Sequence, residues 1–466
     1  MVQPKIRKAL SFLAVIAISV HAASVSAESK ADAGTPKPWR IDSALPDWLS
    51  ITAKHRTRYE FLDNEFRAGT QGDREILVLR TLLNTRLKLH EGLWLGAKVQ
   101  DSRAEINGDT PLTTGSVNAV ELLRAYIEFK HDNVLGGEIA AQAGRLTIDI
   151  GSRRFMNRNR YRNTINSFTG IDIDWKSKSG TELRVFWTLP VRRQPTSLGQ
   201  LRDNKIQDDE EDFDLQFWGV YAATNLTKVD RGELFLFGLH EKDEPSRVTR
   251  KRDLFTPGFR VFRKPASDSL DYTIETAFQV GRSRTTKGGP RLDHLAHFHH
   301  LEVGYTFDAP WSPRLVAEYD FASGDSDPTD GDNNQFGTLF GARRFDFGPA
   351  GIYGPFARNN LNTPGVRLQL KPTRSISTLL GFRAFWLADR SDTWAASSGV
   401  RDITGKSGSY LGSQFEIRVR WDVLPGNLRL ESGYAHLLTG EFIENAPNSN
   451  RPGELNYFYL QAAISL

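Results

Sequence analysis

The chain has no cysteine among its 466 residues and only two methionines. Without a thiol it can build no disulfide framework, no zinc–thiolate cluster and no cysteine nucleophile. Long hydrophobic runs are also missing: past the N-terminus no stretch approaches the ~20 apolar residues that a membrane-crossing helix needs. With a mean hydropathy of -0.43, a helical transporter is excluded. Nor is there much excess charge, since 60 Lys and Arg face 56 Asp and Glu for a formal +4. What the chain does have is 39 Gly and 28 Phe, 12 Tyr and 10 Trp, with few helix-forming runs, a balance that favours β-structure.

Residues 1–27 read as a secretory signal: Lys5, Arg7 and Lys8 precede the apolar run Ala9 to Val20, and Val25-Ser26-Ala27 offers small residues for cleavage. Its removal takes three basic and no acidic residues from +4 and leaves +1. A pI near 9.0 therefore does not argue for nucleic acid, and any anion preference must come from where charges sit. Residues 28–49 are polar, contain proline and lack periodicity, which predicts a flexible lead-in. Residues 50–466 are expected to form one domain.

From Ser50 onward, apolar and polar residues alternate over eight to fourteen positions and then break at turns rich in Gly, Asp, Asn, Ser or Pro, the period of a strand. In Glu75 to His90 one parity holds Leu77, Leu79, Leu83, Leu87 and Leu89, and the other holds Arg80, Asn84, Arg86 and Lys88. Ser409 to Pro425 repeats this, with Leu411, Phe415, Ile417, Val419, Trp421 and Val423 against Gln414, Glu416, Arg418, Arg420 and Asp422. A soluble sandwich also alternates. Export, long strands and charges in mid-strand instead point to a transmembrane antiparallel β-barrel, greasy outside and wet inside. Phe458, Leu460, Ala462, Ile464 and Leu466 carry the alternation to the last residue. Counting candidate strands gives about eighteen. Tyr59, Phe61, Trp187, Tyr305, Phe307 and Trp421 are placed for interfacial girdles.

Four segments resemble the alginate export family of outer-membrane porins. They are ITAKHRTRYEF, LRTLLNTRLKL with AKVQDSRAE, the run GRLTIDIGSRRFMNRNRYRNTINSFTGIDI from Gly144 to Ile173, and SGDSDPTDGDNNQFGTLF from Ser323 to Phe340. The resemblance implies an eighteen-stranded monomer in the bacterial outer membrane, among lipid and lipopolysaccharide. It would be a passive channel, served by a periplasmic export scaffold, that conducts an alginate-like anionic polysaccharide or other acidic solute through an arginine-lined constriction. It needs no cofactor and no catalysis. The alternatives are a structural or adhesive barrel with a blocked lumen, and a barrel enzyme, for which no Ser and His pairing offers itself.

Parity assigns Lys54, Arg56, Arg58, Arg80, Arg86, Lys88, Arg124, Arg367, Arg383 and Arg418 to the lumen, with Asp172 and Glu318 among the acids that share it. Guanidinium suits a uronate polymer because it binds carboxylate bidentately and stays charged. Many of these charges would also serve as paired braces of the inner wall. Arg145 is placed at the pore, and the cluster Arg153 to Arg162 is read as pore or as a loop touching lipopolysaccharide phosphates. Asp325, Asp327, Asp330 and Asp332 could ligate Ca²⁺ through hard oxygens, although their spacing is not that of an EF-hand and a solvated loop fits as well. Among the histidines, alternation sends His297 and His299 to one face and His300 to the other.

Overall fold

The computed structural model describes residues 38–466 except 108, 109 and 328. The signal segment and residues 28–37 of the lead-in lie outside the described residues. A 3-10 turn at Ile41–Ala44 precedes the first strand. The sheet consists of β1 (Leu49–Asp63), β2 (Arg74–His90), β3 (Leu93–Asn107), β4 (Asn118–Val134), β5 (Gly137–Leu146), β6 (Phe168–Ser177), β7 (Glu182–Pro190), β8 (Leu215–Asn225), β9 (Asp230–Glu241) and β10 (Asp253–Arg263). It continues with β11 (Ser269–Ser283), β12 (Leu292–Thr306), β13 (Arg314–Ala322), β14 (Asp332–Asn333), β15 (Leu361–Leu370), β16 (Ile376–Trp386), β17 (Tyr410–Leu424), β18 (Leu428–Thr439) and β19 (Leu455–Ser465).

Each strand pairs antiparallel with its chain neighbour, and β1 pairs with both β2 and β19, so the sheet closes without a free edge. The two-residue β14 is the exception. It lies parallel against β12, while β13 pairs directly with β15, which leaves eighteen strands in the wall, the number the alternation predicts.

Connections divide by end. Short turns such as residues 91–92 and 135–136 share one end with both termini of the barrel, and the loops 147–167, 191–214, 323–360 and 387–409 crowd the other. In outer-membrane barrels these ends face the periplasm and the exterior respectively.

The parity that faces outward is apolar. Leu83, Val185, Leu301 and Phe415 are 48%, 51%, 44% and 55% exposed, a greasy surface of a breadth that only lipid can cover. Aromatic clusters bound it. Tyr59 and Phe61 lie 5.8 and 5.5 Å from Phe458 at the loop end, and Tyr305 lies 4.9 Å from Phe307 at the turn end. Arginine in place of Leu301, midway along β12, is expected to destabilise the barrel by about 2–4 kcal/mol in denaturant titrations from liposomes. A change near zero would mean that this face does not sit in hydrocarbon.

The lumen is open at one end and filled at the other. Along β1 the inward residue Lys54 is exposed, whereas Arg56, Arg58, Glu60 and Leu62 above it are buried. On β19, Tyr457 and Tyr459 are buried and Gln461 and Ala463 less so. The filling comes from loops 147–167 and 323–360, which turn into the barrel. Phe155 packs 5.8 Å from the wall residue Phe298 and 6.0 Å from Phe336, and Phe298 is 5.6 Å from Phe336. Phe347, Tyr353 and Phe356 join the same core. Gly341 and Gly351 make this packing possible, because a side-chain carbon would run into the Arg154 carbonyl at the first and the Glu60 carboxylate at the second.

Candidate functional site

Register explains which inward charges meet. On the β11–β17 side of the barrel every strongly buried cation finds a carboxylate. Arg383 reaches Glu318 at 2.8 Å and Asp320 at 2.6 Å, and Arg367 shares Glu318 at 2.9 Å. Arg344, in the short helix Arg344–Phe347, meets Glu416 at 2.7 Å. At the centre Arg154 bridges Glu275 (2.6 Å) and Asp346 (2.9 Å), and Arg358 pairs with the same Asp346. Burial alone would raise the Asp346 carboxyl, and the guanidiniums of Arg154 and Arg358 outweigh it and hold it below the usual carboxylate range. His300 completes the network, 2.9 Å from Arg154 and 2.8 Å from Asp320.

The β1–β4 wall is different. Arg56 donates to the carbonyls of Arg160, Tyr161 and Arg162 at 2.9, 3.0 and 3.1 Å and to the Asn163 side chain at 3.1 Å. Arg80 donates to the carbonyls of Arg160 and Arg162 at 3.1 and 2.9 Å. Neither meets a carboxylate within ion-pair distance among the described residues. Arg124 rests 4.1 Å over the Tyr126 ring and donates to Gln142 at 3.2 Å. Lys98 forms no hydrogen bond or ion pair among the described residues and sits in the field of Arg124, Arg158, Lys54 and Arg160. Lys54 and Lys88 are exposed on the same wall toward the turn end. The result is a lane of cations held by carbonyls, amides and rings.

Not every sequence-assigned arginine belongs to that lane. Arg58 is sealed against Glu60 at 2.6 Å, both 1% exposed. Arg86 pairs with Glu128 at 2.9 Å and stacks 4.6 Å over Trp94. Asp172 is clasped by Arg184 at 2.5 Å. Arg145 lies on the opposite parity from the inward Gln142 and is held between Glu121 and Glu211 at 2.5 and 2.6 Å, at the loop end. Arg418 points inward without an ion pair among the described residues.

The segment 153–162 is a loop, turned into the barrel by the wall arginines that bind its carbonyls. Of the four aspartates in loop 323–360, Asp327 accepts from Thr329 and Asp330 from the N–H of Asp332. Asp325 is buried with neither oxygen hydrogen-bonded, and burial with the adjacent Asp392 pushes it up to about 6. Among the described residues the one acidic trio whose oxygens converge is Asp212, Asp214 and Glu244, beside Arg192 and Arg247, which pair with Asp212 and Glu244. His297 and His299 face outward, 3.0 Å apart.

Sequence reasoning missed Lys98, whose strand carries Gly96, Gln100 and Ser102 on the same face and so lacks a charged parity. It also missed Arg193 and Arg343, which stand in loops where no period assigns a face.

A charged lumen behind an apolar belt, closed by eighteen strands, is the architecture of an outer-membrane channel. Solved outer-membrane proteins of Pseudomonas aeruginosa share it. OpdQ matches with a TM-score of 0.57 at 14% identity over 89% of this chain and 98% of its own. OccD3 (OpdP) gives 0.57 at 12% identity over 91% and 92%, and OpdK, solved with vanillate, 0.55 at 11% over 89% and 98%. No curated protein matches in sequence. The family profile described as alginate export matches residues 47–455, nearly all of the barrel, and the chain accordingly belongs to the alginate export family of bacterial outer-membrane channels.

Proposed function

We propose that the channel passes acidic solutes, carboxylate-bearing saccharides above all, along the cationic lane of β1–β4. The observation that carries this reading is the asymmetry of the lumen: among the described residues Arg56, Arg80, Lys98 and Arg124 have no carboxylate partner, while Arg154, Arg344, Arg358, Arg367 and Arg383 opposite are matched and Arg418 alone of the inward β17 side adds an unpaired charge. Cations held by neutral groups keep their field for a passing anion, and low-dielectric walls focus it. Transit also demands weak binding, and Glu128 and Asp149, bonded to Arg86 and to Arg158 and Arg160, temper the lane at either side. That OpdK was solved with a small carboxylate, vanillate, fits the same chemistry.

Under a KCl gradient across a planar bilayer, the reversal potential is expected to have the sign of anion selectivity, and an oligouronate is expected to block where a neutral oligosaccharide of equal length does not. Cation selectivity would reject the proposal. A second reading, a barrel whose lumen is shut, is favoured by the loop core at the exterior end. It predicts no single-channel steps in the same bilayer.

A further inference from the structure

Three arginines outside the lane share a different environment. Arg162 comes from loop 147–167, Arg193 from loop 191–214 and Arg343 from loop 323–360, and all three line one cavity of about 540 Å³ at the loop end. The Asn166 side-chain oxygen accepts from Arg193 at 2.9 Å and from Arg162 at 3.5 Å, so two guanidiniums crowd one neutral oxygen. The remaining acceptors are the carbonyls of Thr114 for Arg193 (2.8 Å) and Phe356 for Arg343 (3.4 Å). The acids of the cavity are taken up by other arginines that line it, Glu60 by Arg58 and Glu65 by Arg67 and Arg74. Burial and the charge of Arg162 press Arg193 down to about 9, and burial with Arg162, Arg67 and Arg358 presses Arg343 down to about 10. A guanidinium does not shed its proton in a protein. Clustered like charges in a half-buried hollow are therefore stabilised by an anion that joins them.

We propose that Arg162, Arg193 and Arg343 form a binding site for a short carboxylate-rich saccharide on the exterior side of the constriction. The site rests on the reading of the channel as a path for acidic solutes and adds to it a point of capture at the end from which an external solute arrives. Three convergent guanidiniums match two or more carboxylates bidentately, and Thr113, Thr114, Ser116 and Asn163 on the same wall supply polar groups for sugar hydroxyls. The volume lies in the range of small-ligand sites, which suits a few sugar units rather than a bulky chain. Arg343 also borders a second cavity of about 310 Å³ lined by Arg250, Arg252 and Arg284, so a longer acidic ligand has a cationic continuation.

The test is calorimetric titration of the detergent-solubilised mature protein at low ionic strength with trigalacturonate and with its methyl ester. Saturable binding of the acid is expected, with none of the ester. Arg193→Gln and Arg343→Gln should each weaken it about tenfold, Arg343→Lys should weaken it less, and Arg429→Gln, at the turn end of β18 and paired with Asp422, should leave it in place. The heat shift of the barrel on gels reports folding for each variant. Absence of acid binding to the unmodified protein overturns the site, and so does binding that survives both glutamine substitutions unchanged. The reversal potential separates this from the channel reading: cation selectivity with intact Arg193- and Arg343-dependent binding removes the conduit and leaves the site.

Discussion

Replacing Asp346 by asparagine is expected to loosen loop 323–360 and raise single-channel conductance while the barrel wall stays closed. Asp346 is the one carboxylate that both Arg154 and Arg358 engage, and its backbone carbonyl accepts from Arg367 on β15. It thus ties the inner loop to loop 147–167 and to the wall at once. Without its charge Arg154 keeps Glu275 at 2.6 Å, but Arg358, fully buried, keeps no carboxylate among the described residues, its contacts being the carbonyls of Ala342 and Arg154 and the rings of Phe298, Phe345 and Phe347. Stranding a buried charge in this way costs about 3–5 kcal/mol, more than a loop core is expected to absorb without opening. The loss falls on the loops because every wall strand retains its two ladders. Recordings should show larger or noisier openings, and limited proteolysis should cut within 323–360 where the unmodified protein resists. Equal conductance and equal protection in the variant would mean that the aromatic core alone holds the loop.

Acid separates this latch from its surroundings. A carboxyl whose folded value is depressed contributes stability above its unfolded value, near 3.8, and loses it only as pH falls through the folded one. The Asp346 latch therefore survives at pH 4 to 5. Asp325, in the same loop, has the opposite sign: raised to about 6, its ionised form opposes the fold above that pH, and the penalty fades as pH falls toward 3.8. Mild acid should tighten the loop that the substitution releases.

The wall was legible because a strand of period two exposes its logic in every second residue. Leu77 and Arg80 could be sent to opposite faces without any knowledge of their neighbours, but parity left Arg58 among the pore charges, although Glu60, two residues on along the same face, seals it. Pairings that depend on register were not legible. Arg383 meets Asp320 because β15 intervenes between β13 and β16, and no spacing along the chain reveals that. Leu411 shows how a local break defeats parity: placed with the outward residues by alternation, it is fully buried, after a register shift at Phe385 and Trp386 and beside Gly412 at φ 136, a conformation reserved for glycine. Loops carry no period at all, so neither the inward fold of 147–167 nor the meeting of Arg162 with Arg193 left a trace in the pattern. The segment from Gly144 to Ile173 did carry a signal of another kind, its likeness to the family, and it proves to contain the backbone against which the β1–β4 arginines are set.

Neutralising Arg80, Lys98 and Arg124 together should abolish most of the anion preference and relieve oligouronate block, with the barrel still heat-modifiable. These three are chosen because none has a carboxylate to strand. Arg80 gives up hydrogen bonds to the carbonyls of Arg160 and Arg162, Arg124 gives up an amide and a ring, and Lys98 gives up no hydrogen bond or ion pair, so glutamine at each leaves no buried charge uncompensated. The selectivity change is expected to be large for the same reason: a cation already neutralised by a neighbour adds little to the field in the lumen, whereas an unmatched one adds its full charge where low-dielectric walls concentrate it. The reversal potential should fall toward zero by roughly half or more. Arg383→Gln supplies the contrast. It takes one of two partners from each of Glu318 and Asp320, both 4% exposed or less, leaving Arg367 and His300 to hold them, and should lower stability, with its effect on selectivity secondary to that loss. Full anion preference and undiminished block in a folded triple variant would place the solute path along another wall, with Arg418 and Arg420 on β17 the next charges to remove.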